Sequence, residues 1–325
     1  MILTVTLNTA IDKTLAVPNF RLGRRHRTVE QTTMPGGKGV NVARVLKALG
    51  APVIATGLAG GATGTRIVEQ LTGFAVLSDF VRIREESRTN TAVIDPTTGE
   101  QTEINERGPA VSAQEIELFV DKLLYLARGA SMCVFAGSLP RDVDADVYAG
   151  LIRELKRMGV VCIVDTDGDP LRYAVRAEPD VISPNVLEAE ELVGHEFNDA
   201  EDHCIAVREM CELGAREAIM TAPDGCYAQM CPETPGGSQQ LLRLRMRSGA
   251  IEPRATVGSG DAFLAGYVNA RYNGLGTEEC LVAGVACGAQ STLQLGAGLI
   301  DPGQVERLTG EVEVTRPALD PAPWS

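Results

Sequence analysis

The spacing of apolar residues changes repeatedly along this chain, and each change marks the passage between a strand and a helix. Short runs that are apolar throughout are typical of strands buried on both faces. They cover residues 132–136, 160–164, 181–182 and 218–221, and residues 2–7 alternate as a strand does, with Leu3, Val5 and Leu7 on one face. Apolar residues three and four positions apart predict helices at residues 65–71, 112–128, 145–158, 186–193, 200–213, 261–272 and 281–295. This alternation predicts an α/β domain built on a mostly parallel sheet.

Two stretches do not follow this pattern. Residues 13–35 are poorly periodic, and residues 81–108 contain strand-like runs at 81–84, 91–94 and 101–104. Together they predict a small β-layer attached to the main domain. We therefore expect a main domain at residues 1–8, 36–80 and 109–325 and a discontinuous β-lid at residues 9–35 and 81–108. The last residues, 317–325, are expected to pack loosely.

Composition and charge narrow the function classes. Of the 325 residues, 44% are hydrophobic and 22% charged, as in an ordinary globular protein. The net charge of −13 argues against a general binder of nucleic acid or of anionic membranes. No apolar run approaches the roughly 20 residues of a membrane span, and the first residues read as a strand rather than a signal peptide. Eight cysteines without a C-x-x-C pair, and only three histidines, argue against a zinc site. We expect a cytoplasmic, reduced protein.

The strongest candidate for chemistry is the glycine-rich turn at residues 256–263 (TVGSGDAF), which opens a helical pattern. Gly258 and Gly260 lack a Cβ, so the turn can be sharp and its N–H groups can approach a ligand. At a helix N-terminus such groups favour an anion. Asp261, in the first helical turn, would then lie beside that anion and could accept a proton from a hydroxyl. The alternative is that Asp261 only caps the helix.

Three further candidates lie at strand ends or helix starts. Residues 36–43 (GGKGVNVA) open a helix and offer Lys38 and Asn41 to a polyol or phosphate, although no Walker A pattern occurs. Asp12 follows the first strand, where α/β sheets collect ligand-binding side chains, or else lies in an ordinary turn. Asn185 and Glu188 are three residues apart at a helix start, so their oxygens could orient the waters of Mg²⁺. The alternative is a glutamate that complements the helix dipole.

Taken together and in this order, the motifs closely resemble those of the PfkB (ribokinase-like) carbohydrate kinase family over roughly residues 1–300. The matching segments are residues 8–12, 36–43, 137–140, 184–188 and 256–261. Within the family, residues 7–12 (LNTAID) and 137–140 (GSLP) are similar to the hexose-phosphate branch, which includes 1-phosphofructokinase, tagatose-6-phosphate kinase and the minor 6-phosphofructokinase. The resemblance implies a ribokinase-like three-layer α/β/α fold with a mostly parallel central sheet and a small β-sheet lid.

The resemblance also implies a role for each matched residue. Asp261 would be the base, and the N–H groups of Gly258, Ser259 and Gly260 would form an anion hole. The sugar would be held by residues that match the family's acceptor-binding positions, Asp12, Gly37, Lys38 and Asn41. Its phosphate would be held by a basic and polar set, Arg88 with Arg27, Lys38 and Ser138. The nucleotide side would comprise Asn185, Thr221, Gly225, Gly258 and Gly260, with Asn185 and Glu188 organising Mg²⁺ through water.

The implied activity is ATP- and Mg²⁺-dependent phosphorylation of a ketohexose monophosphate to the 1,6-bisphosphate. Fructose 1-phosphate is the first candidate acceptor, beside fructose 6-phosphate and tagatose 6-phosphate. The partners would be the sugar phosphate, ATP and a second copy of the chain, a homodimer formed through the β-lid. Two alternatives stay open: a ribokinase-like kinase of an unphosphorylated sugar or nucleoside, and a non-catalytic sugar-phosphate sensor. The segment 221–225 is one residue shorter than is usual in the family, which leaves nucleotide preference open.

Overall fold

The computed structural model describes residues 1–232, 239–253, 255–294 and 296–317. Within them the strands are β1 (Ile2–Thr6), β2 (Ala10–Ala16), β3 (Glu30–Gly36), β4 (Val53–Gly60), β5 (Leu77–Ile83), β6 (Arg88–Ile94), β7 (Gln101–Asn105), β8 (Met132–Ala136), β9 (Val161–Asp165), β10 (Val181–Ile182), β11 (Glu217–Ala222), β12 (Gly225–Met230), β13 (Gln240–Met246) and β14 (Val312–Thr315). The helices are α1 (Lys38–Ala48), α2 (Gly61–Gly73), α3 (Ala113–Ala127), α4 (Val147–Arg157), α5 (Gly168–Val175), α6 (Val186–Val193), α7 (Ala200–Glu212), α8 (Ser259–Tyr272), α9 (Thr277–Ser291) and α10 (Pro302–Thr309).

Ten of these strands form a large sheet in the order β14-β13-β12-β11-β10-β9-β8-β1-β4-β5. The strands from β11 to β5 are parallel, and β12, β13 and β14 add an antiparallel edge. Each face of the large sheet has its own hydrophobic core. Ile2 of β1 belongs to the core formed with α1, α8 and α9, whereas Leu3 and Val5 belong to the core formed with α3, α4 and α7. Helices therefore cover both faces, and the predicted mostly parallel sheet in a three-layer α/β/α arrangement is confirmed.

The remaining four strands form a separate small sheet in the order β3-β2-β6-β7. Its expected boundary at residue 81 is wrong, because residues 81–83 belong to β5, which pairs in parallel with β4 in the large sheet. Phe80 packs into one core while Val81 and Ile83 pack into the other, so this strand is covered on both faces. The second half of the small sheet begins only at Arg88.

Other differences lie at the edges of the fold. The antiparallel edge β12–β14 and the helices α5 and α10 have no counterpart in the sequence prediction. The helix expected at residues 281–295 is α9, which begins earlier, at Thr277, and ends at Ser291. The expectation of loose packing at residues 317–325 lies, apart from Pro317, outside the described residues. No helix in the described part of the chain is long and apolar enough to cross a membrane.

Candidate active site

A cleft of about 970 Å³ opens between the large sheet and the small sheet. On one side it is lined by β2, β6 and β7 of the small sheet, and on the other by the ends of β9 and β11 and the starts of α1, α6 and α8. Parallel strands place their carboxyl ends at the same edge of a sheet, which is where α/β proteins bind ligands. The cleft therefore collects polar residues that are far apart in the sequence.

The glycine-rich turn before α8, the candidate anion pocket, lines the cleft. Gly258 has φ +78°, and a Cβ there would lie 2.5 Å from the Cβ of Ala297, so the position requires glycine. The N–H of Ser259 donates to the carbonyl of Thr256 at 3.2 Å. The N–H groups of Gly258 and Gly260 have no acceptor among the described residues. Of the three expected donors, two are therefore available to a bound anion.

Asp261 is buried at the third position of α8, where it does not cap the helix. Its Oδ2 accepts a hydrogen bond of 2.9 Å from Nδ2 of Asn41 on α1. Burial, reinforced by the nearby negative charge of Asp165, raises the pKa of Asp261 to about 7. A carboxyl group that titrates near neutral pH can take up a proton during a reaction and release it afterwards. This environment favours the hypothesis that Asp261 is a base over the alternative that it only caps the helix.

Lys38 joins two carboxylates across the cleft. Its Nζ lies 2.8 Å from Oδ1 of Asp165 and 3.1 Å from Oε1 of Glu188. Burial opposes the charge of Lys38, but Asp165 and Glu188 outweigh burial and raise the pKa of the ammonium group. Asp165 ends β9 and was not among the residues expected from the sequence, where its signal was only an aspartate directly after an apolar strand.

Asn185 and Glu188 form a capping box at the start of α6. Asn185 Oδ1 accepts from the N–H of Glu188 at 3.0 Å, and Glu188 Oε2 accepts from the N–H of Asn185 at 2.9 Å. Glu188 therefore acts at the helix terminus, as the alternative hypothesis states, and it also contacts Lys38. Burial raises the pKa of Glu188. No group of three or more acidic, histidine or cysteine residues that could hold a metal occurs in the described ranges.

Asp12 faces the cleft from the small sheet. Its Oδ1 accepts a hydrogen bond of 2.9 Å from Asn90, and burial raises the pKa of its carboxyl group. A Cβ at Gly36 would lie 2.0 Å from Oδ2 of Asp12, so the first glycine of the GGKG turn makes room for this carboxylate. Gly37, with φ +99°, and Lys38 line the same cleft.

Arg88 lies at the start of β6, half-buried beside Asp12. Its Nε donates to the carbonyl of Asn8 at 3.3 Å and its Nη1 to the carbonyl of Glu106 at 3.0 Å. Ser138 accepts from Nδ2 of Asn8 at 3.2 Å, so Asn8 links the two candidate phosphate-binding residues. Burial lowers the pKa of Arg88, which nevertheless stays a cation at neutral pH.

Arg27 is not brought to this cleft. It is exposed in the segment that joins β2 to β3. The register of these strands pairs Ala10 with Gly36 at the cleft and Ala16 with Glu30 at the far end, about 20 Å away along the strand. The expectation that Arg27 binds the same phosphate as Arg88 therefore does not hold within one chain.

Thr221 and Gly225 also line the cleft, on the β11–β12 hairpin. Ala222 pairs with Gly225, which leaves a two-residue turn at Pro223 and Asp224. A Cβ at Gly225 would lie 2.0 Å from the carbonyl oxygen of Leu244 on β13, so glycine is required for this strand to approach its neighbour. The short 221–225 segment is thus a tight hairpin.

Comparison with known proteins places this arrangement in a family. The model of the pfkB family carbohydrate kinases matches residues 4–302. A 1-phosphofructokinase of Borreliella burgdorferi is 32% identical over 299 residues, which cover 90% of this chain and 92% of that protein. A tagatose-6-phosphate kinase of Staphylococcus epidermidis is 31% identical over 318 residues, covering 97% and 99%.

A solved structure from Thermotoga maritima, described as a possible 1-phosphofructokinase, has a TM-score of 0.88 at 25% identity and covers 98% of this chain and 100% of that one. The ribokinase-like fold expected from the sequence is therefore confirmed. The family model, the curated relatives and the fold agree, and the chain belongs to the pfkB family of carbohydrate kinases.

Proposed function

We propose that this kinase transfers the terminal phosphoryl group of ATP to a ketohexose monophosphate, with fructose 1-phosphate as the first candidate, and forms the 1,6-bisphosphate. The observation that carries the proposal is Asp261, a buried carboxyl group with a pKa of about 7 beside the free N–H groups of Gly258 and Gly260. A sensor would have no need for a base poised at neutral pH. Relatives named as kinases of fructose 1-phosphate and tagatose 6-phosphate support the choice of acceptor.

In the proposed reaction Asp261 accepts the proton of the acceptor hydroxyl as the hydroxyl oxygen bonds to the terminal phosphorus of ATP. The bond between that phosphorus and the bridging oxygen breaks, and ADP leaves. The N–H groups of Gly258 and Gly260 donate to the phosphoryl oxygens as charge develops on them. Asn41 holds Asp261 by its hydrogen bond, so that the base is oriented before the substrate arrives. Positioning and charge stabilisation are what phosphoryl transfer chiefly requires.

The acceptor sugar would lie against the small sheet. Asp12 and Asn41 present a carboxylate and an amide to sugar hydroxyls, and Gly37 lets the sugar approach the main chain. Arg88 and Ser138 would hold the phosphate ester, because a guanidinium group with free N–H donors suits a phosphate dianion. Lys38 lines the same cleft and its charge acts on Asp261, so its ammonium group would contact one of the two phosphates.

The residues at the start of α6 fit the Mg²⁺ that the family implies. Asn185 and Glu188 offer oxygen donors, which Mg²⁺ prefers, and Mg²⁺ commonly keeps several of its waters. These two residues would hold the hydrated ion, which when bound would neutralise charge on the ATP phosphates. Lys38 already lies on Glu188 and would share that neutralisation. Thr221 and Gly225 line the cleft on the β11–β12 hairpin and would border the nucleotide.

The decisive test of substrate is the MgATP-dependent release of ADP with fructose 1-phosphate, fructose 6-phosphate, tagatose 6-phosphate and free fructose side by side. We expect one phosphate ester to be preferred by kcat/KM. Turnover of the free sugar alone would instead support a ribokinase-like acceptor. ATP binding without turnover of any acceptor would contradict the proposal and favour the sensor.

We expect Arg88→Ala to raise KM for the phosphate ester by about 10- to 100-fold, with a smaller change in kcat. A hydrogen bond to a charged group contributes about 1.5–3 kcal/mol, which corresponds to this range. The measurement is steady-state kinetics at saturating ATP. The control is Arg84→Ala, since Arg84 is exposed outside the cleft. An unchanged KM in Arg88→Ala would show that Arg88 does not bind the phosphate. Its role would then be structural, through its hydrogen bonds to two main-chain carbonyls.

A cytoplasmic location stays a prediction. Pairing of two chains through the small sheet is also a prediction, and it can be tested. The small sheet exposes Ile104 on β7 and, beside β3, Val29, with 62% and 68% of their surfaces accessible. Exposed apolar side chains on a sheet often mark an interface. We expect sedimentation velocity to give a dimer, and expect Ile104→Lys with Val29→Lys to give a monomer. A wild-type monomer at micromolar concentration would contradict the prediction.

A further inference from the structure

Arg44 is a buried cation that the proposed mechanism does not use. It lies on α1, five residues after the GGKG segment, and only 4% of its surface is accessible. Arginine is almost never fully buried unless it is paired. No carboxylate in the described residues accepts a hydrogen bond from it, although the negative charge of Asp12 acts on it from nearby. Burial lowers the pKa of Arg44 to about 10, so the group is still charged at neutral pH.

The guanidinium group of Arg44 bonds to two segments that are distant in sequence. Nη1 donates to the carbonyl of Pro35 at 3.3 Å and to the carbonyl of Ala297 at 3.0 Å. Nη2 lies 3.1 Å from the sulfur of Met34, and the group stacks on the ring of Phe74 at 4.4 Å. Arginine suits such a site because its planar fork carries several donors in fixed directions, which lysine cannot reproduce.

The first of these segments is the exit from the small sheet. Met34 and Pro35 are the last residues of β3 before Gly36, and Met34 stands opposite Asp12 in the β2–β3 register. The position of this strand end therefore sets the position of Asp12, the residue proposed to hold the acceptor sugar.

The second segment is the wall of the anion pocket. Ala297 lies against Gly258, where an added Cβ would be only 2.5 Å from the Cβ of Ala297. A Cβ at Gly298 would come 3.0 Å from Nη1 of Arg44, so this loop also lies close against the guanidinium group. A displacement of residues 296–298 would therefore be transmitted to Gly258.

We propose that Arg44 is a positioning residue that fixes the small sheet against the wall of the anion pocket, so that the acceptor hydroxyl and the phosphoryl group meet in line. The inference rests on the proposed transfer reaction. Burying a charge is costly, and an apolar side chain of similar volume would often give equal or greater stability at such a site. What the cation supplies is a directional connection between the two walls of the cleft. A misplacement of about 1 Å can reduce the rate of a reaction about 100-fold.

The test compares Arg44→Met, Arg44→Lys and the control Phe74→Leu. Met removes the donors and Lys retains the charge without the fork, whereas Phe74→Leu removes the stacking contact and leaves the hydrogen bonds. Kinetics give kcat, and calorimetry gives the Kd of each substrate. Hydrogen–deuterium exchange reports on the mobility of β3 and of residues 296–298. The exchange measurement needs no substrate, so it stays decisive even where the proposed acceptor is wrong.

We expect kcat to fall about 100-fold in Arg44→Met, with the Kd for ATP within about threefold of wild type and the Kd for the acceptor raised by less than kcat falls, because Asp12 is displaced but not removed. Exchange should become faster at β3 and at residues 296–298 together. Arg44→Lys should retain most of the defect, and Phe74→Leu should show neither change. Wild-type kcat in Arg44→Met, full recovery in Arg44→Lys, or the same exchange pattern in Phe74→Leu would each overturn the proposal.

Discussion

Asp261→Asn is expected to reduce kcat by about 1,000-fold, within the range that a general base contributes. The amide has almost the same shape as the carboxylate and can still accept the hydrogen bond from Asn41 through its oxygen. It cannot take up a proton from the acceptor hydroxyl. The acceptor and ATP are held by other residues, so their dissociation constants should change by less than about threefold. Single-turnover kinetics and calorimetry measure the two quantities separately.

The control for this change is Asp121→Asn, since Asp121 is exposed on α3 and far from the cleft. It should behave as wild type in both measurements. Turnover of Asp261→Asn within tenfold of wild type would remove Asp261 from the role of base. A loss of acceptor binding as large as the loss of kcat would show instead that Asp261 chiefly binds the substrate.

Lys38→Met is expected to lower kcat/KM at pH 7 by about 100-fold or more, because two effects act together. The positive charge of Lys38 lowers the pKa of Asp261, so its removal raises that pKa above 7 and leaves the base protonated at neutral pH. The phosphate charges also lose a cation. In the wild type, kcat/KM should fall as pH decreases through about 7, where Asp261 takes up its proton. In Lys38→Met this fall, the acid limb of the pH profile, should occur at higher pH.

Asp165→Asn should move the same limb in the opposite direction. The charge of Asp165 raises the pKa of Asp261, so its loss lets the base ionise at lower pH. The control is Lys47→Met, an exposed lysine on the same helix as Lys38, whose pH profile should match that of wild type. An acid limb that moves in the same direction in Lys38→Met and Asp165→Asn would contradict the assignment of this limb to Asp261.

The parts of the site that the sequence predicted are those where backbone chemistry restricts the residue. Gly258 and Gly36 stand where a Cβ would collide, and each lies in a glycine-rich turn directly before a helical pattern. Such turns are visible in a sequence because few other residues tolerate them. Asp261 was found through its place beside one of these turns.

Residues without such a local constraint were missed or misplaced. Asp165 follows a strand, as many structural aspartates do, and its importance comes from Lys38, 127 residues away in sequence. Arg27 was placed with Arg88 although the hairpin register carries it to the far end of the small sheet. The alternation at residues 81–83 fits an edge strand of either sheet, and only packing on both faces assigns it to the large one. Arg44 gave no sequence signal, since its partners are main-chain carbonyls.

The central place of β1 has a consequence for how the chain acquires its structure during synthesis. Both neighbours of β1 come later in the chain: β4 begins at Val53 and β8 only at Met132. At typical rates of translation the strand waits roughly ten seconds for its second partner, with one edge unpaired. Asp261 emerges later still, long after the small sheet that it must face. A nascent chain released before residue 261 would thus carry the whole small sheet without Asp261, so we expect the enzyme to be inactive until almost all of its large sheet is assembled.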